Sequence, residues 1–410
     1  MKRVVVTGMG IISPLGNNVN EYWQNLLKGE SGILSIDHLD VSNSKTRIAG
    51  VVTDFHPDER WGAKEAKKLD RFSQFALAAA EEALTNSQLD LDSIDKERMG
   101  VYVGSGIGGL TTLIDNVNTL NQRGPNRVSP NLVPMMISNA AAAQISIRFG
   151  AQGPSLSPVT ACSIGNTSIG EAFHTIRNGD ADVMVAGGAE AAITNLSLAS
   201  FGNARALSTR NDEPASASRP FDKNRDGFVM SEGAAILVVE DLEHAIKRNA
   251  PILAEIIGYG ASSDAHHMVA THPEGRGAYL AMKRALTKAN ISPSDVDVIS
   301  AHATSTPVGD LSETLAIKKL FEEDAYKIPV TANKSMLGHM LGAAGGAEAI
   351  ALIQSLREGI IPPTTNLETP DPDCDLDYVP EGARKADISI GLSNSFGFGG
   401  HNSAILLKKY

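Results

Sequence analysis

The sequence predicts an α/β fold whose strands are largely buried. Short runs rich in β-branched and apolar residues, several of them ending in glycine, alternate with longer alanine-rich segments of helical period. At 410 residues the chain is too long for one ordinary core, so two domains or one large duplicated architecture are expected. Hydrophobic residues make up 42% and charged residues 20% of a chain without low-complexity tracts, which predicts a chain folded throughout.

The elements follow from these runs in chain order. The runs typical of buried strands lie at residues 3–8, 100–104, 182–187, 235–240, 296–301 and 388–393. Two segments between them show a helical stripe and are interpreted as helices packed on the surface of a sheet. In 71–84 the stripe consists of Phe72, Phe75, Ala76, Ala79 and Ala80, and in 279–289 it consists of Met282, Ala285, Leu286 and Ala289.

Two halves of the chain look loosely alike. A strand begins each half, at residues 4–8 and 252–258, and a later strand in each half runs into glycines, at 183–188 and 388–400. A polar connection ending in Pro251 separates them. The predicted units are therefore an N-terminal half, 1–250, and a C-terminal half, 251–410.

Composition and charge exclude several classes of function. A formal net charge of −11 argues against nonspecific nucleic-acid binding, which needs a surplus of Lys and Arg. No apolar stretch of roughly eighteen residues is present, so no membrane-spanning helix is predicted, and the first residues are interpreted as a buried strand rather than a signal peptide. Two cysteines cannot build a disulfide framework or a four-cysteine zinc site, which favours a soluble protein of a reducing compartment, the cytoplasm.

Cys162 is the first candidate for chemistry. Residues 159–165 precede a helical stretch at 166–177 that ends at Asn178 and Gly179, which places Cys162 at or near a helix N-terminus. Unpaired backbone N–H groups and the helix dipole would stabilise a thiolate there, the form that attacks a carbonyl carbon. An isolated cysteine in an α/β protein is nevertheless more often a small buried hydrophobic residue.

Two histidines lie in loops that follow predicted strands. His302 comes after the run 296–300 and His339 after the run 328–331, so both are expected past the carboxyl end of a strand, where α/β folds bind ligands. Either histidine alone is more often structural. A cysteine and two histidines in such loops together favour an active site.

Four motifs carry a family resemblance. They are the segment around Cys162, the loop 302–307 (HATSTP), the loop 334–339 (KSMLGH) and the segment 394–400 (NSFGFGG). In this order and spacing they resemble the β-ketoacyl-[acyl-carrier-protein] synthases, and further similarity at 218–222 and 226–229 extends the resemblance over essentially the whole chain. The resemblance implies the thiolase fold, two similar halves in a five-layered α-β-α-β-α arrangement.

The resemblance also implies a mechanism. Cys162 would accept a fatty acyl group from an acyl carrier protein, and a malonyl carrier would then lose carbon dioxide and attack the resulting thioester. The backbone amides of Cys162 and Phe396 would form the oxyanion hole. His302 and His339 would donate hydrogen bonds to the malonyl thioester oxygen.

Lys334 and Glu348 resemble the family's supporting charge pair, which holds the histidine region in place without reacting. Lys334 is counted with the catalytic residues for this reason, and Glu348 as its support. Removing Lys334 is expected to disturb the organisation of the site.

Further residues are implied to bind the substrate. Phe396 resembles a gatekeeping phenylalanine, with Phe398 beside it in the glycine-rich loop, and Ile107 resembles the residue that narrows the acyl pocket in type II enzymes. Ordinary core packing is the alternative for Ile107. Thr304 and Thr306 match the hydroxyls that hold the carrier's pantetheine arm, although such hydroxyls also stabilise turns.

The implied partners are the acyl carrier protein, in its acyl and malonyl forms, and a second copy of the chain in a homodimer. An acidic carrier needs a basic entrance, for which Lys64, Lys67, Lys68 and Arg205 are the candidates, although a charge run is usually only a solvated face. No resident cofactor is expected, since the phosphopantetheine arrives on the carrier.

Metal and nucleotide chemistry are not predicted. No ligand spacing around the adjacent His266 and His267 completes a metal site. The glycine run at 104–109 lacks the acidic residue that a dinucleotide-binding loop has about twenty positions later, so NAD is not expected.

One departure and several alternatives remain at the level of sequence. Ala303 stands where the family usually has glycine, and an alanine would disturb the loop if a positive φ is required there. A type I synthase or a polyketide ketosynthase shares the Cys-His-His set, and Ile107 favours type II. A degradative thiolase would need a second cysteine where Phe396 and Phe398 stand, and a noncatalytic chain-length factor would lack Cys162.

Overall fold

Fourteen strands and fourteen α-helices are present in a computed structural model that describes residues 1–410. The strands are β1 (Val4–Ile12), β2 (Ile33–Ser35), β3 (Ile48–Gly50), β4 (Met99–Gly104), β5 (Ser155–Leu156), β6 (Val183–Glu190), β7 (Gly233–Asp241), β8 (Ala254–Ser263), β9 (Val298–Ser300), β10 (Val330–Thr331), β11 (Ile360–Ile361), β12 (Arg384–Lys385), β13 (Ile390–Gly397) and β14 (His401–Lys408).

The helices lie between these strands. They are α1 (Val19–Lys28), α2 (Pro57–Trp61), α3 (Ala63–Ala66), α4 (Arg71–Ser87), α5 (Leu110–Arg123), α6 (Leu132–Met136), α7 (Ala140–Phe149), α8 (Ile164–Asn178), α9 (Asn195–Asn203), α10 (Leu242–Lys247), α11 (Arg276–Ala289), α12 (Pro307–Phe321), α13 (Lys334–Leu337) and α14 (Ala344–Glu358). Two short 3₁₀ turns, Ala161–Ser163 and Leu341–Ala343, lead directly into α8 and α14.

The large sheet is built from two five-stranded halves with the same topology. Its order is β10-β9-β13-β14-β8-β1-β7-β6-β4-β5, and the halves meet where β1 pairs with β8 over three residue pairs. Reading outward from that seam, each half has two antiparallel pairings followed by two parallel ones. Strands β1, β7, β6, β4 and β5 thus correspond to β8, β14, β13, β9 and β10, so the suspected likeness of the halves is a duplicated strand order.

The helices complete five layers. Helices α8 and α14 contact each other and strands of both half-sheets, so they form the central layer. Helices α4 and α7 cover the outer face of the N-terminal half-sheet, and α11 covers the outer face of the C-terminal one. The largest core, 41 buried residues, surrounds α8 and α14 and includes side chains from both halves. This arrangement confirms the predicted α-β-α-β-α thiolase fold.

Strand positions agree with the sequence patterns, but the burial of α4 exceeds the prediction. Eleven of its seventeen residues are buried, instead of one apolar stripe. The cause lies in β1, because Gly8 and Gly10 let the α4 backbone approach closely: a Cβ at these positions would lie 2.1 and 2.0 Å from the carbonyl oxygens of Ala83 and Ala79.

The connection between the predicted halves joins α10 to β8. It covers residues 248–253. Helix α10 packs on β1 and β7, whereas β8 pairs with β1 across the seam and with β14 in its own half. None of the helices combines the length and the apolar composition that crossing a bilayer requires.

The central helices touch through glycines. A Cβ on Gly165 of α8 would lie 2.3 Å from the backbone nitrogen of Gly346 in α14. This contact brings the start of α8, where Cys162 lies, against the start of α14, which follows His339. The close packing of two small-residue helix starts therefore assembles the candidate site from both halves.

Gly165→Ala is expected to lower the free energy of unfolding by about 1–3 kcal/mol, because the added methyl group meets backbone that cannot move aside. The matched control is Gly202→Ala in α9, where no atom lies within 4 Å of the new Cβ. This control should be neutral or stabilising by up to about 1 kcal/mol. Urea denaturation of both variants checks the pair, and equal losses would contradict the packing argument.

Candidate active site

A cavity of about 580 Å³ brings together the three residues on which the sequence prediction depends. Cys162, His302 and His339 all line it, although Cys162 comes from the N-terminal half and both histidines from the C-terminal half. Ile107, Thr304, Thr306, Phe396, Phe398 and Arg205 line the same cavity. A mostly apolar pocket with a few convergent polar groups is the usual form of a small-molecule site.

Cys162 lies in the 3₁₀ turn that leads into α8. The preceding Ala161 has a φ of +51°, a left-handed conformation that costs a non-glycine residue about 1–2 kcal/mol. The turn is fixed from the far side, where the Ser163 hydroxyl donates to the Ser395 carbonyl at 3.0 Å. Strain of this kind is held at functional sites by the surrounding structure.

The duplicated half contains the same turn without a cysteine. Leu341, with a φ of +48°, corresponds to Ala161, and Gly342 then stands at the position of Cys162. Both turns end at the N-terminus of a central helix. The two halves therefore share the backbone conformation of this turn, but only the N-terminal half has a cysteine in it.

The structure corrects the predicted ionisation of Cys162. Burial raises the pKa of the thiol to about 11, against the smaller opposing effects of the Lys334 charge and of two backbone N–H groups, while Glu190 raises it further. A helix dipole contributes about 0.3–1 kcal/mol, less than one pKa unit, so it does not offset the burial. At neutral pH the resting cysteine is a thiol, not the thiolate that its helix position predicted.

The structure also corrects the predicted partner in the oxyanion hole. The two backbone N–H groups that face the sulfur belong to Cys162 itself and to Phe398, not to Phe396. Phe396 is still within β13, paired with Asn402, and the chain turns toward the cysteine only after Gly397. A Cβ at Gly397 would lie 3.0 Å from the Cys162 nitrogen, so this approach requires glycine.

The position of His302 is fixed through hydrogen bonds to its backbone. Its N–H and that of Ala303 donate to the two oxygens of the buried Glu313 at 3.0 and 2.8 Å, and Asn394 donates to the same carboxylate at 3.1 Å. The ring packs 5.5 Å from the Phe396 ring and 5.4 Å from that of His339, centroid to centroid. Glu313 and Asn394 are therefore positioning residues for the imidazole.

Lys334 connects His302 to Glu348. Its ammonium donates to the His302 carbonyl at 2.6 Å, lies 3.5 Å from His302 Nδ1 and forms an ion pair with Glu348. Burial raises the pKa of Glu348, against the opposing charge of Lys334. A lysine can only donate, so Nδ1 faces it as an acceptor and the ring proton lies on Nε2.

Both histidines are neutral. Burial lowers the pKa of each imidazole well below its ordinary value, and the Lys334 charge lowers both further. Neither ring nitrogen of His339 has a hydrogen-bond partner in the protein, although the residue is buried. A buried polar group without a partner costs about 1–3 kcal/mol, which a polar ligand atom in the cavity would offset.

The loop with Thr304 and Thr306 is supported by the segment 218–222. The hydroxyls of Thr304 and Thr306 lie 3.0 Å apart and both side chains line the cavity. Behind them, the Arg219 N–H donates to the Ser305 hydroxyl at 2.9 Å, and the Ser218 hydroxyl donates to the Lys334 carbonyl at 2.6 Å. The conformation of this loop is thus set by hydrogen bonds to a segment far away in sequence.

Ala303 does adopt a positive φ, of +29°. Its methyl group is buried in the core formed by α11, α12 and the C-terminal strands. The departure seen in the sequence is therefore a real strain, yet both neighbouring N–H groups keep their bonds to Glu313. The loop accommodates alanine without losing the position of His302.

The residues predicted to meet a carrier protein separate into two groups. Arg205, with a φ of +54°, lies at the cavity and is exposed. Lys64, Lys67 and Lys68 are exposed on and after α3 but do not line the cavity, and Lys68 forms an ion pair with Glu65 at 2.7 Å.

Sequence reasoning missed Glu190 and Glu313. Both are completely or almost completely buried carboxylates that bind backbone N–H groups of cavity loops. The signal for Glu190 was a single acidic residue at the end of the apolar strand β6. No comparable signal marks Glu313, which lies in the middle of α12 among other polar residues.

Comparisons with known proteins give one family. The family model of the β-ketoacyl synthase N-terminal domain matches residues 1–245, and that of the C-terminal domain matches residues 253–368. The chain is 49% identical over 409 residues to a 3-oxoacyl-[acyl-carrier-protein] synthase 2 of Synechocystis sp., covering 100% of this chain and 98% of the relative. A protein of the same name from Staphylococcus aureus strain COL is 50% identical over 409 residues, covering 100% and 99%.

Solved structures are similar over their whole length. A β-ketoacyl synthase from Burkholderia phymatum superposes with a TM-score of 0.93 at 36% identity and 100% coverage of both chains. A ketosynthase bound to a hexaketide, in complex with its type II polyketide synthase acyl-carrier protein, gives a TM-score of 0.93 at 35% identity, covering 100% of this chain and 99% of that one.

Alkylation of Cys162 by iodoacetamide is expected to accelerate continuously as the pH rises toward about 11, because the thiolate fraction grows only near the raised pKa of the thiol. Mass spectrometry of the peptide that contains Cys162 measures the rate, with Cys162→Ser as the unreactive control. A plateau reached near pH ~7 would mean that the thiolate is the resting form and would contradict this assignment.

Ala303→Gly is expected to be less destabilising than Ala301→Gly by about 1–2 kcal/mol. Both changes remove a buried methyl group, but only position 303 has a left-handed φ that glycine relieves. Urea denaturation of the two variants measures the difference. Equal destabilisation would show that the loop carries no backbone strain at Ala303.

Proposed function

This chain belongs to the β-ketoacyl synthase family, and from that premise we propose that Cys162, His302 and His339 carry out its condensing reaction. The chain is a condensing acyltransferase of the 3-oxoacyl-[acyl-carrier-protein] synthase class, acting in type II fatty-acid elongation. The observation that supports the residue assignment best is the shared cavity, which presents a thiol and two neutral imidazoles drawn from different halves.

The first half-reaction would transfer the acyl group. The sulfur of Cys162 attacks the thioester carbonyl of the acyl carrier, the carbon–sulfur bond to the pantetheine breaks, and the thiol proton ends on the departing pantetheine thiol. The N–H groups of Cys162 and Phe398 would bind the oxyanion that forms on the carbonyl. The result is an acyl thioester on Cys162 and a free carrier.

The second half-reaction would use the histidines. A malonyl carrier enters, and its thioester oxygen accepts hydrogen bonds from His302 Nε2–H and from the unpartnered ring of His339. Carbon dioxide leaves, the electron pair forms an enolate stabilised by those donors, and the enolate carbon attacks the acyl carbonyl on Cys162. The carbon–sulfur bond to Cys162 then breaks, the released thiolate takes up a proton from water to restore the thiol, and the β-ketoacyl product leaves on the carrier.

The degree of identity favours the fatty-acid enzymes over the polyketide ketosynthases. Full-length relatives named 3-oxoacyl-[acyl-carrier-protein] synthase 2 are 49–50% identical, whereas the polyketide ketosynthase is 35% identical. An inert chain-length-factor role is disfavoured because Cys162 is present as a free thiol, and because hydrogen bonds from the protein hold the neighbouring His302 in the same cavity.

Pantetheine would bind at Thr304 and Thr306, whose hydroxyls lie beside the histidines at the cavity wall. Arg205 is the basic residue placed to meet an acidic carrier at the opening, with Lys64, Lys67 and Lys68 as a more distant basic surface. The reaction as proposed needs no resident cofactor or metal, since the carrier brings the phosphopantetheine. The proposed location of the enzyme is the cytoplasm.

We further propose a homodimer formed through the β5 edge. Both residues of β5 are exposed at the end of the sheet, while the opposite end, β10, is buried. Large apolar side chains are exposed in the same region of the chain: Val117, Leu120, Val133, Ile137, Ile147, Leu156 and Val159. An open strand edge flanked by apolar side chains is a template for pairing with a second copy.

Incubation with an acyl carrier and a malonyl carrier is expected to give the β-ketoacyl product, with an acyl adduct on Cys162 before the malonyl carrier is added. Cys162→Ala should give neither adduct nor product, because the cavity contains no second thiol that could carry the acyl chain. Intact mass measurement follows both species.

Cys374→Ala is the matched control, since this second cysteine is buried outside the cavity and should leave adduct and product unchanged. A wild-type protein that forms no adduct and no product would favour the inert-partner interpretation.

A further inference from the structure

Glu190 is a buried carboxylate beside the nucleophile that the mechanism above does not use. It ends β6 and is fully buried, yet its carboxylate reaches the wall of the cavity that contains Cys162. Placing an acidic group there costs desolvation free energy and opposes ionisation of the neighbouring thiol. A contribution to stability therefore does not account for a carboxylate at this position.

The carboxylate binds the loop that carries Ile107. Oε1 accepts from the Ser105 hydroxyl at 2.6 Å and from the Ile107 N–H at 3.1 Å, and Oε2 accepts from the Gly106 N–H at 2.9 Å. The Ser105 hydroxyl in turn accepts from the Gly108 N–H at 2.9 Å. One carboxylate thus fixes four consecutive residues, directly or through Ser105.

The same carboxylate joins this loop to the C-terminal half. Oε2 also accepts from the Gly342 N–H at 3.2 Å, in the turn that corresponds to the turn of Cys162. A Cβ on either Gly106 or Gly342 would lie 3.0 Å from Oε2, which is tighter than an ordinary contact, so glycine at both positions favours the close approach of the carboxylate. All four bonds are donated to the oxygens, which is the pattern of an ionised carboxylate.

The duplicated half supports a positioning role. Glu313 binds two successive N–H groups of the loop after β9, and Glu190 binds two successive N–H groups of the loop after β4, the strand that corresponds to β9. In the C-terminal half the loop held in this way carries His302. In the N-terminal half it carries Ile107, whose side chain lines the cavity and is 37% exposed.

We infer that Glu190 is a specificity-determining positioning residue: by holding the backbone of residues 105–108 against Gly342, it fixes the Ile107 wall of the pocket and thereby the length of acyl chain that fits. The inference rests on the proposed function for the identity of the chain in the pocket. The hydrogen bonds themselves are independent of that function.

The first test measures the loop directly. Glu190→Gln keeps the shape of the side chain but replaces one acceptor oxygen with an NH₂ group that opposes a backbone N–H. Hydrogen exchange of the peptide containing residues 105–108 is expected to accelerate about tenfold, because bonds to a charged acceptor are lost. Exchange at the wild-type rate would overturn the inference.

The matched control is Glu82→Gln. Glu82 is also a largely buried carboxylate with a pKa raised by burial, and it accepts from the Ile11 and Val19 N–H groups at 2.9 and 2.8 Å, away from the cavity. This variant should leave exchange at 105–108 unchanged. An equal acceleration in both variants would mean a general loss of stability and would overturn the positioning role.

The second test measures the pocket with a chemical probe. Cys162 is labelled with N-hexyl and N-hexadecyl iodoacetamide, and the ratio of the two rates is compared between variants, which cancels any change in the pKa of the thiol. Glu190→Gln is expected to raise the hexadecyl-to-hexyl ratio about fivefold or more, because the Ile107 wall yields to the longer chain. A faster-exchanging loop with an unchanged ratio would overturn the role in specificity.

Ser105→Ala provides a second variant if Glu190→Gln does not fold. It removes the hydroxyl between Glu190 and Gly108 and should shift the exchange rate and the probe ratio in the same direction by smaller factors. No shift in either quantity would overturn the inference.

The condensation assay with hexanoyl and hexadecanoyl carriers distinguishes the positioning role of Glu190 from the proposed function. Altered probe selectivity in a protein that never condenses would refute the proposed function and leave the positioning role standing.

Discussion

The buried ion pair of Lys334 and Glu348 is the interaction on which the rest of the site depends. Both side chains are almost completely buried, at 2% and 1% exposure, and they connect α13 to the central helix α14. Removing one partner of such a pair typically costs about 3–5 kcal/mol, because the other charge is left buried and uncompensated. The pair places the Lys334 ammonium against the carbonyl and Nδ1 of His302.

That placement determines the proton positions of the site. An ammonium beside Nδ1 directs the ring proton of His302 to Nε2, and its charge keeps both imidazoles neutral in addition to their burial. The same charge is the main influence that opposes the raised pKa of Cys162. The Lys334 charge thus acts on all three candidate catalytic residues. Lys334 is itself held by Glu348 at its ammonium and by the Ser218 hydroxyl at its carbonyl.

The sequence predicted the parts that depend on local patterns. Strand positions, the helix after Cys162 and the likeness of the halves all follow from apolar runs and glycines, and the resemblance located the cysteine and both histidines. The sequence-based predictions were wrong where the outcome depends on burial and on contacts between segments that are distant in sequence. The thiolate expected at a helix start is suppressed by burial, and the N–H facing the sulfur comes from Phe398 because β13 continues through Phe396. Glu313 could not be recognised, since its role exists only through backbone N–H groups that the fold brings to it.

The duplicated architecture places buried carboxylates beside the cavity while the thiol and the two imidazoles that line it stay neutral. Each half places a buried carboxylate on the backbone of a loop at the end of equivalent strands, β4 and β9. Glu190 reaches its loop from the end of β6 and Glu313 from α12, so that N–H dipoles stabilise the negative charge. The thiol and the two imidazoles then remain neutral in the resting protein. Under the proposed mechanism, charge would appear only on the oxyanion and the enolate, near the N–H groups of Cys162 and Phe398 and the rings of His302 and His339. Donors that need no rearrangement lower the free energy of the transition state more than that of the bound substrate. The packed central helices α8 and α14 hold the two turns that bring Cys162 and the segment after His339 together.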